Sequence, residues 1–160
     1  DRRYAQWQID NAIASGYAAM KDTAREAEAY ERAMPACKAF TEPAQRLIQI
    51  YGETRNFAGL IRAANHFLAA EPRTGWALAH RGWAYLSTNK LEEAFRDYEK
   101  AVELGHPSAY EHLAWFYEGG RGGAKQDFRR AIDLYMIAHS KGVAGAKEKA
   151  DKVRAGTGLK

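Results

Sequence analysis

The side chains that could perform catalysis or bind a metal do not fall into any pattern that such chemistry needs. Cys37 is the single cysteine, and no motif pairs it with one of the five histidines as a nucleophile with its base. No segment carries the His-Glu-x-x-His pattern, and no cysteine and histidine cluster has the spacing of a zinc site. The sequence therefore predicts no catalytic residue, no metal site and no cofactor.

Two further features that resemble functional motifs have simpler explanations. Glu92 and Glu93 stand at the predicted start of a helix, where the helix dipole favours negative charge. The glycine-rich run at 119–123 lacks the Lys-Ser/Thr pair of a phosphate-binding loop, and helical patterns lie on both sides of it. The run is therefore predicted to be a turn between helices.

Composition is typical of an ordinary globular protein, with 46% hydrophobic and 28% charged residues. No stretch approaches the roughly 20 apolar residues that a membrane-spanning helix needs, so no membrane span is predicted. The residues include no charged-then-apolar leader, and a lone cysteine forms no internal disulfide. A cytoplasmic protein and a periplasmic one both fit these observations.

The net charge of +4 is distributed unevenly along the chain. Residues 121–160 carry 10 basic and 4 acidic groups, whereas residues 1–120 carry 14 and 16. This basic C-terminal quarter is either a solvated helical face or a surface that attracts an acidic partner. A nucleic-acid-binding protein would need a basic stripe over its whole surface, so no nucleic-acid partner is predicted.

A repeat of about 34 residues organises the chain. Tyr17, Tyr51, Tyr85 and Tyr117 are separated by 34, 34 and 32 residues. A fixed period of this length predicts tandem helix pairs, each of which buries its apolar face against its neighbours. In the clearest copy, Gly82 and Ala94 are small enough for two helices to approach closely. Tyr85 and Tyr98 are predicted to fill the groove between the two helices.

The segment 75–107 resembles a tetratricopeptide repeat, because Gly82, Tyr85, Ala94, Tyr98 and Ala101 fall at the most diagnostic spacings of that unit. Pro107 is expected to stop its second helix. The following segment, 109–143, resembles the related Sel-one-like repeat, in which a longer Gly-x-Gly loop joins the helices. Residues 41–74 form a more degenerate unit with Thr41 as its N-cap, and large side chains at Ile48 and Leu60 predict looser or shifted packing there.

The resemblance implies an all-α fold, an α-solenoid of about four antiparallel helix pairs plus a C-terminal capping helix. A single domain over 1–160 is predicted, divided into a degenerate N-terminal pair at 1–40, a degenerate repeat at 41–74, a tetratricopeptide-like repeat at 75–108, a Sel-one-like repeat at 109–143 and a capping helix at 144–156.

The resemblance also implies where a partner binds, because the first helix of each pair lines the concave face in this class of repeat. Aromatic residues and arginine are the side chains most enriched at binding hot spots. The candidate partner-binding residues at the implied positions are Arg46, Gln49, Trp76, His80, Trp83, Glu111, His112 and Trp115. The alternative for Trp83 and Trp115 is that they pack between neighbouring units. His80 and His112 could bind a metal together with Glu111, but surface histidines without a clear third ligand do not predict a metal site.

The function that this resemblance implies is a non-catalytic scaffold or adaptor that binds a peptide or protein loop. Chaperone-tail clamps of this class use a lysine and an asparagine on the first helices, where this chain has Ala79 and Trp83. A chaperone tail is therefore not the expected ligand. The alternatives are a bacterial immunity protein that neutralises a secreted toxin or effector by direct binding, and a small-ligand-binding or hydrolytic Sel-one-like protein. The sequence does not indicate the oligomeric state.

Overall fold

The computed structural model describes residues 2–36 and 41–159, so Cys37 lies outside the described residues. These residues form nine α-helices and one 3-10 turn, with no strand among them. The helices are α1 (Arg2–Ala19), α2 (Thr23–Ala33), α3 (Glu42–Glu53), α4 (Phe57–Ala70), α5 (Gly75–Ser87), α6 (Leu91–Glu103), α7 (Pro107–Gly119), α8 (Phe128–Ser140) and α9 (Ala146–Thr157). The predicted all-α architecture of tandem antiparallel helix pairs is confirmed.

The chain divides into two compact units, 1–73 and 74–160, here called the N-terminal unit and the C-terminal unit. The N-terminal unit contains the pairs α1/α2 and α3/α4, and α2 packs on α3. The C-terminal unit contains the pairs α5/α6 and α7/α8, and α9 packs on α8. None of the helices in the described ranges is long and apolar enough to cross a membrane.

Packing in the α3/α4 pair is shifted by one residue from the repeat pattern. Leu60, which stands where a small residue was expected, is fully buried. The close approach between the helices occurs instead at Gly59, where an added Cβ would lie 2.8 Å from the Tyr51 ring. Thr41 precedes α3 as predicted, but its hydroxyl donates to Glu71 Oε1 at 3.1 Å and makes no cap hydrogen bond.

The α5/α6 pair follows the pattern read from the sequence. Tyr98 is fully buried with its ring against Gly82, where an added Cβ would lie 3.2 Å from the ring. A buried ion pair also joins the two helices, because Arg81 Nε and Nη2 each donate to the Asp97 carboxylate at 2.7 Å. Glu92 and Glu93 lie in the first turn of α6, as their position in the sequence predicted.

The expected role of Pro107 is wrong. Helix α6 ends at Glu103, and the chain turns at Gly105, whose φ of +74° suits a glycine. Pro107 is the first residue of α7, a position that needs no N–H donor and matches the φ that proline imposes. The repeat boundary that the sequence placed after residue 108 therefore falls inside the first turn of α7.

The glycine-rich run ends α7 and opens a long loop. Gly120 caps the helix in the left-handed conformation, with φ +60°. Asp127 then starts α8 by accepting the N–H of Arg130 at 3.0 Å, and the Asp127 N–H donates to the Tyr117 carbonyl at 2.9 Å. This second bond closes the loop back onto α7, so the long connection between α7 and α8 is an ordered turn.

Candidate binding groove

A groove of about 350 Å³ lies within the C-terminal unit, between α7 and α9. Its lining residues are Leu86, Glu111, His112, Trp115, Glu118, Tyr135, Lys149 and Lys152. Four of the eight belong to α7, and two lysines belong to α9. We refer to this surface as the α7/α9 groove.

Three of the predicted partner-binding residues, Glu111, His112 and Trp115, line this groove together. They share a face because α7 places residues three and four positions apart beside one another. Trp115 is partly exposed, and its ring packs edge-on against Phe116 at a centroid separation of 5.1 Å. The Arg121 guanidinium stacks on the Trp115 ring at 4.0 Å and donates from Nη1 to the Trp115 carbonyl at 2.8 Å. Trp115 is therefore held in one orientation with part of its surface open.

Both carboxylates of the groove are engaged within the unit. Glu111 forms a hydrogen-bonded ion pair with Lys149 of α9. Glu118 accepts a hydrogen bond from the Tyr135 hydroxyl at 2.8 Å. Burial is the largest cause of the raised pKa of Tyr135, and this hydrogen bond is the second. Lys152 lies one turn from Lys149 and is exposed, with no ion pair to any described residue. The groove therefore offers an unneutralised amine next to an aromatic surface.

The His112 side chain is only partly exposed in the groove, because its ring packs on a buried side chain of α6. Its ring stacks on Tyr98 at a centroid separation of 4.7 Å and an interplanar angle of 22°. Burial lowers the pKa of His112 below its usual range; Glu111 opposes this shift and Lys149 adds to it. The lowered pKa of His112 favours the neutral imidazole, which presents a flat aromatic surface to a ligand.

The depressed histidine pKa predicts a loss of stability in mild acid. Burial also lowers the pKa of His106. Unfolded histidine protonates near pH 6.5, whereas these folded side chains resist protonation, so the unfolded state binds more protons as the pH falls below that value. We expect the free energy of unfolding to decline from pH 7 to pH 5 in urea titrations. His112→Gln should flatten this decline, and the same change at exposed His139 should not.

The other predicted residues on α5 are close to one another but do not line the groove. Trp76 and His80 meet edge to face at 5.8 Å, and His80 Nδ1 donates to the Trp76 carbonyl at 2.8 Å. Trp83 stands further along the same helix and, like Trp76, is partly exposed. Their part in binding stays a prediction.

Arg46 and Gln49 belong to the N-terminal unit, where Arg46 already has a buried partner. Arg46 Nε and Nη2 donate to the carboxylate of Glu26 at 2.5 and 3.2 Å, and Glu26 is 2% exposed. Arg46 Nη1 donates to Gln49 Oε1 at 3.3 Å. The guanidinium thus serves first to neutralise Glu26, and its predicted contact with a partner remains untested.

Sequence reasoning missed Lys149, Lys152 and Tyr135 as residues of the groove. The only available signal was the basic C-terminal quarter, which does not show which lysines face α7. Within the described parts of the chain, no group of three or more His, Cys, Asp or Glu side chains is placed to hold a metal ion.

A second groove, of about 430 Å³, lies between α2 and α3 in the N-terminal unit. It is lined mainly by small or apolar groups, and Glu28 and Glu31 also belong to its lining. Glu31 accepts hydrogen bonds from Tyr51 at 2.5 Å and from Arg62 at 2.8 Å. No predicted partner-binding residue lines this second groove.

No protein-family model matches the chain, and no curated protein matches it. Solved structures do. A crystal structure of MamA superposes with a TM-score of 0.74 at 18% identity, covering 92% of this chain and 85% of MamA. A mutant O-GlcNAc transferase from Thermobaculum terrenum gives a TM-score of 0.61 at 17% identity, covering 88% of this chain and 27% of the transferase.

A third similar structure is the first TPR of Spaghetti (RPAP3), bound to the HSP90 peptide SRMEEVD. Its TM-score is 0.52 at 20% identity, and the alignment covers 86% of this chain and 94% of that one. Likeness at these identities shows a shared fold and does not carry over an activity or a ligand. The chain has the fold of tetratricopeptide-like helix-pair repeats.

Proposed function

We propose that this chain is a non-catalytic protein-binding adaptor, and that the α7/α9 groove holds a short peptide segment or loop of another protein. The observation that carries the proposal is the juxtaposition in one groove of the partly exposed Trp115, the flat His112 ring and the unpaired Lys152. Aromatic side chains with a polar handle are the usual anchors of protein interfaces.

The charges of the groove favour a segment with at least one acidic side chain. Glu111 is neutralised by Lys149, whereas Glu118 accepts a hydrogen bond from the neutral Tyr135 hydroxyl and keeps its negative charge. Lys152 has no such partner, and a carboxylate beside it would complete the ion pair. A volume of about 350 Å³ accommodates a few side chains, which fits a short linear segment.

The helical-repeat neighbour that holds the HSP90 peptide supports peptide binding as a use of this fold. The chaperone tail itself is not the ligand we propose, because Ala79 and Trp83 stand where clamps of that kind use lysine and asparagine. The remaining candidate residues on α5, Trp76, His80 and Trp83, are proposed to extend the binding surface beyond the groove. A secreted toxin or effector is the partner class of the alternative immunity function, and the experiment below identifies the partner.

Lys152→Glu should abolish capture of the partner, because it removes the unpaired amine and adds a charge that repels an acidic segment. The measurement is a pull-down from native lysate read by mass spectrometry, followed by titration of the captured segment as a synthetic peptide. We expect at least a tenfold loss of affinity, equivalent to about 1.4 kcal/mol.

The matched control is Lys147→Glu, which makes the same change on an exposed residue of α9 outside the groove. It should bind like the unchanged protein. Trp115→Ala should also lose the partner while it retains the helical circular dichroism signal. Equal binding by the two lysine variants would show that the groove is not the site.

A further inference from the structure

An apolar stripe runs along the exposed side of α1 in the N-terminal unit. Among the described residues, nearly all the exposed large hydrophobic side chains lie on α1 or directly after it, and Ile9, Ile13 and Met20 are 53%, 39% and 67% exposed. The α1 stripe consists of Ala5, Ile9, Ala12, Ile13, Gly16 and Met20, which recur at helical spacing. Met20 continues the helical turn, since its N–H donates to the Gly16 carbonyl at 3.2 Å. None of these residues lines the α7/α9 groove.

The stripe carries no charge. Between Arg3 and Lys21 the only Asp, Glu, Lys, Arg or His is Asp10, which is 5% exposed on the packed side of α1 and lies 3.6 Å from Arg32. A contiguous apolar surface of this kind normally marks an interaction site. The absence of charge means that two copies of the stripe can meet without repulsion.

Gly16 is not explained by the fold of a single chain. It lies inside α1, where glycine costs about 1 kcal/mol relative to alanine. An added Cβ would meet no atom within 4 Å, so nothing in the described parts of the chain requires the side chain to be absent. A glycine in such a position suits the close approach of another backbone from outside.

The stripe is complementary to itself when two copies of α1 run antiparallel. If residue 12 of one copy faces residue 13 of the other, Ala5 lies opposite Met20, Ile9 lies opposite Gly16, and Ala12 lies opposite Ile13. Each pair joins a large side chain to a small one, which is the alternation that helix packing needs. The register also brings the basic N-terminal end of each α1, at Arg2 and Arg3, towards the negative end of the other helix dipole.

We propose that the α1 stripe is the interface of a homodimer in which two copies of α1 pack antiparallel about a twofold axis. A twofold interface uses the same patch on both copies, as this register does. Each helix is about 27 Å long, so the contact is smaller than the roughly 1,200 Å² typical of stable complexes. The dimer is therefore weak and depends on protein concentration.

Sedimentation equilibrium of the full chain tests the interface. The unchanged protein should pass from monomer to dimer as its concentration rises to about 1 mM. Gly16→Leu should raise the dimer Kd at least tenfold, because it fills the gap that receives Ile9. The matched control, Gly156→Leu in α9, also enters open space and should leave the Kd unchanged. Ile9→Gln should weaken the dimer as well. A monomer at every concentration, or dimerisation of Gly16→Leu equal to that of the control, would overturn the proposal.

Disulfide trapping tests the register independently. In a Cys37→Ser background, a mixture of Ala5→Cys and Met20→Cys chains should form a cross-linked heterodimer under mild oxidation, because the two positions face each other across the twofold axis. Each variant alone should cross-link far less. Efficient cross-linking of Ala5→Cys with itself would indicate parallel helices and contradict the antiparallel interface.

Discussion

Asp97→Ala is expected to lower the free energy of unfolding by about 3 kcal/mol, one of the two largest effects that we predict for a single substitution. Asp97 is 4% exposed and accepts two hydrogen bonds of 2.7 Å from Arg81. The hydrogen bonds to Asp97 raise the pKa of Arg81. An arginine guanidinium stays charged even without such a partner, so Arg81 keeps its charge after the substitution and loses its main counter-charge. The Arg81 side chain is 19% exposed, which lets water recover part of the loss.

Urea unfolding followed by circular dichroism measures this effect, with Glu92→Ala as the matched control. Glu92 also loses an arginine partner, Arg96, but both side chains are about two-thirds exposed or more, and they lie 3.5 Å apart. Surface pairs of this kind contribute less than about 1 kcal/mol. A similar loss for both variants would mean that burial does not set the strength of the Arg81–Asp97 pair.

Gly122→Ala should destabilise the chain by about 3 kcal/mol, because two separate costs combine at this position. The φ of +59° is unfavourable for any residue with a Cβ, at about 1 kcal/mol. The new Cβ would also lie 2.5 Å from the Leu91 carbonyl oxygen and 2.9 Å from the Phe116 ring. Since a backbone oxygen cannot move aside as a flexible side chain can, the loop must shift away from α6.

Gly105→Ala separates these two costs in the same thermal or urea unfolding experiment. Gly105 has a comparable φ of +74°, but an added Cβ would meet nothing within 4 Å. We therefore expect only the backbone cost of about 1 kcal/mol at this position. If Gly105→Ala proved as damaging as Gly122→Ala, the close approach of the Gly122 loop to α6 would not be the cause.

Much of the fold could be predicted from the sequence, because helix pairs leave a strong local signature. The 34-residue spacing of tyrosines and the small residue at Gly82 were sufficient to predict the α5/α6 pair and its packing. The packing of the α3/α4 pair was harder to predict, because the two helices approach closely at Gly59 and not at position 60, where the repeat pattern expects a small residue. A shift of one residue leaves the periodicity of apolar residues almost unchanged. Pro107 was misassigned because proline both ends and begins helices.

The candidate site could be predicted only in part, because some of its contacts join residues that are far apart in the sequence. Glu111, His112 and Trp115 follow from the face of one helix, which the repeat phase defines. The contact of Glu111 with Lys149 joins residues 38 positions apart, and no periodic pattern encodes which lysine of α9 turns towards α7. For the same reason, the sequence did not reveal that Arg46 pairs with Glu26 on a neighbouring helix.

The two lysines of the α7/α9 groove have a consequence for how ordered α9 is. Both lysines that face α7 belong to α9, a helix of 12 residues whose main packing neighbour is α8 alone. A helix with few packing neighbours opens more readily than one with several, and its amide protons exchange sooner with solvent. A segment held between α7 and Lys152 would favour the docked form of α9 over the frayed one. Part of its binding free energy would then appear as slower hydrogen exchange in α9.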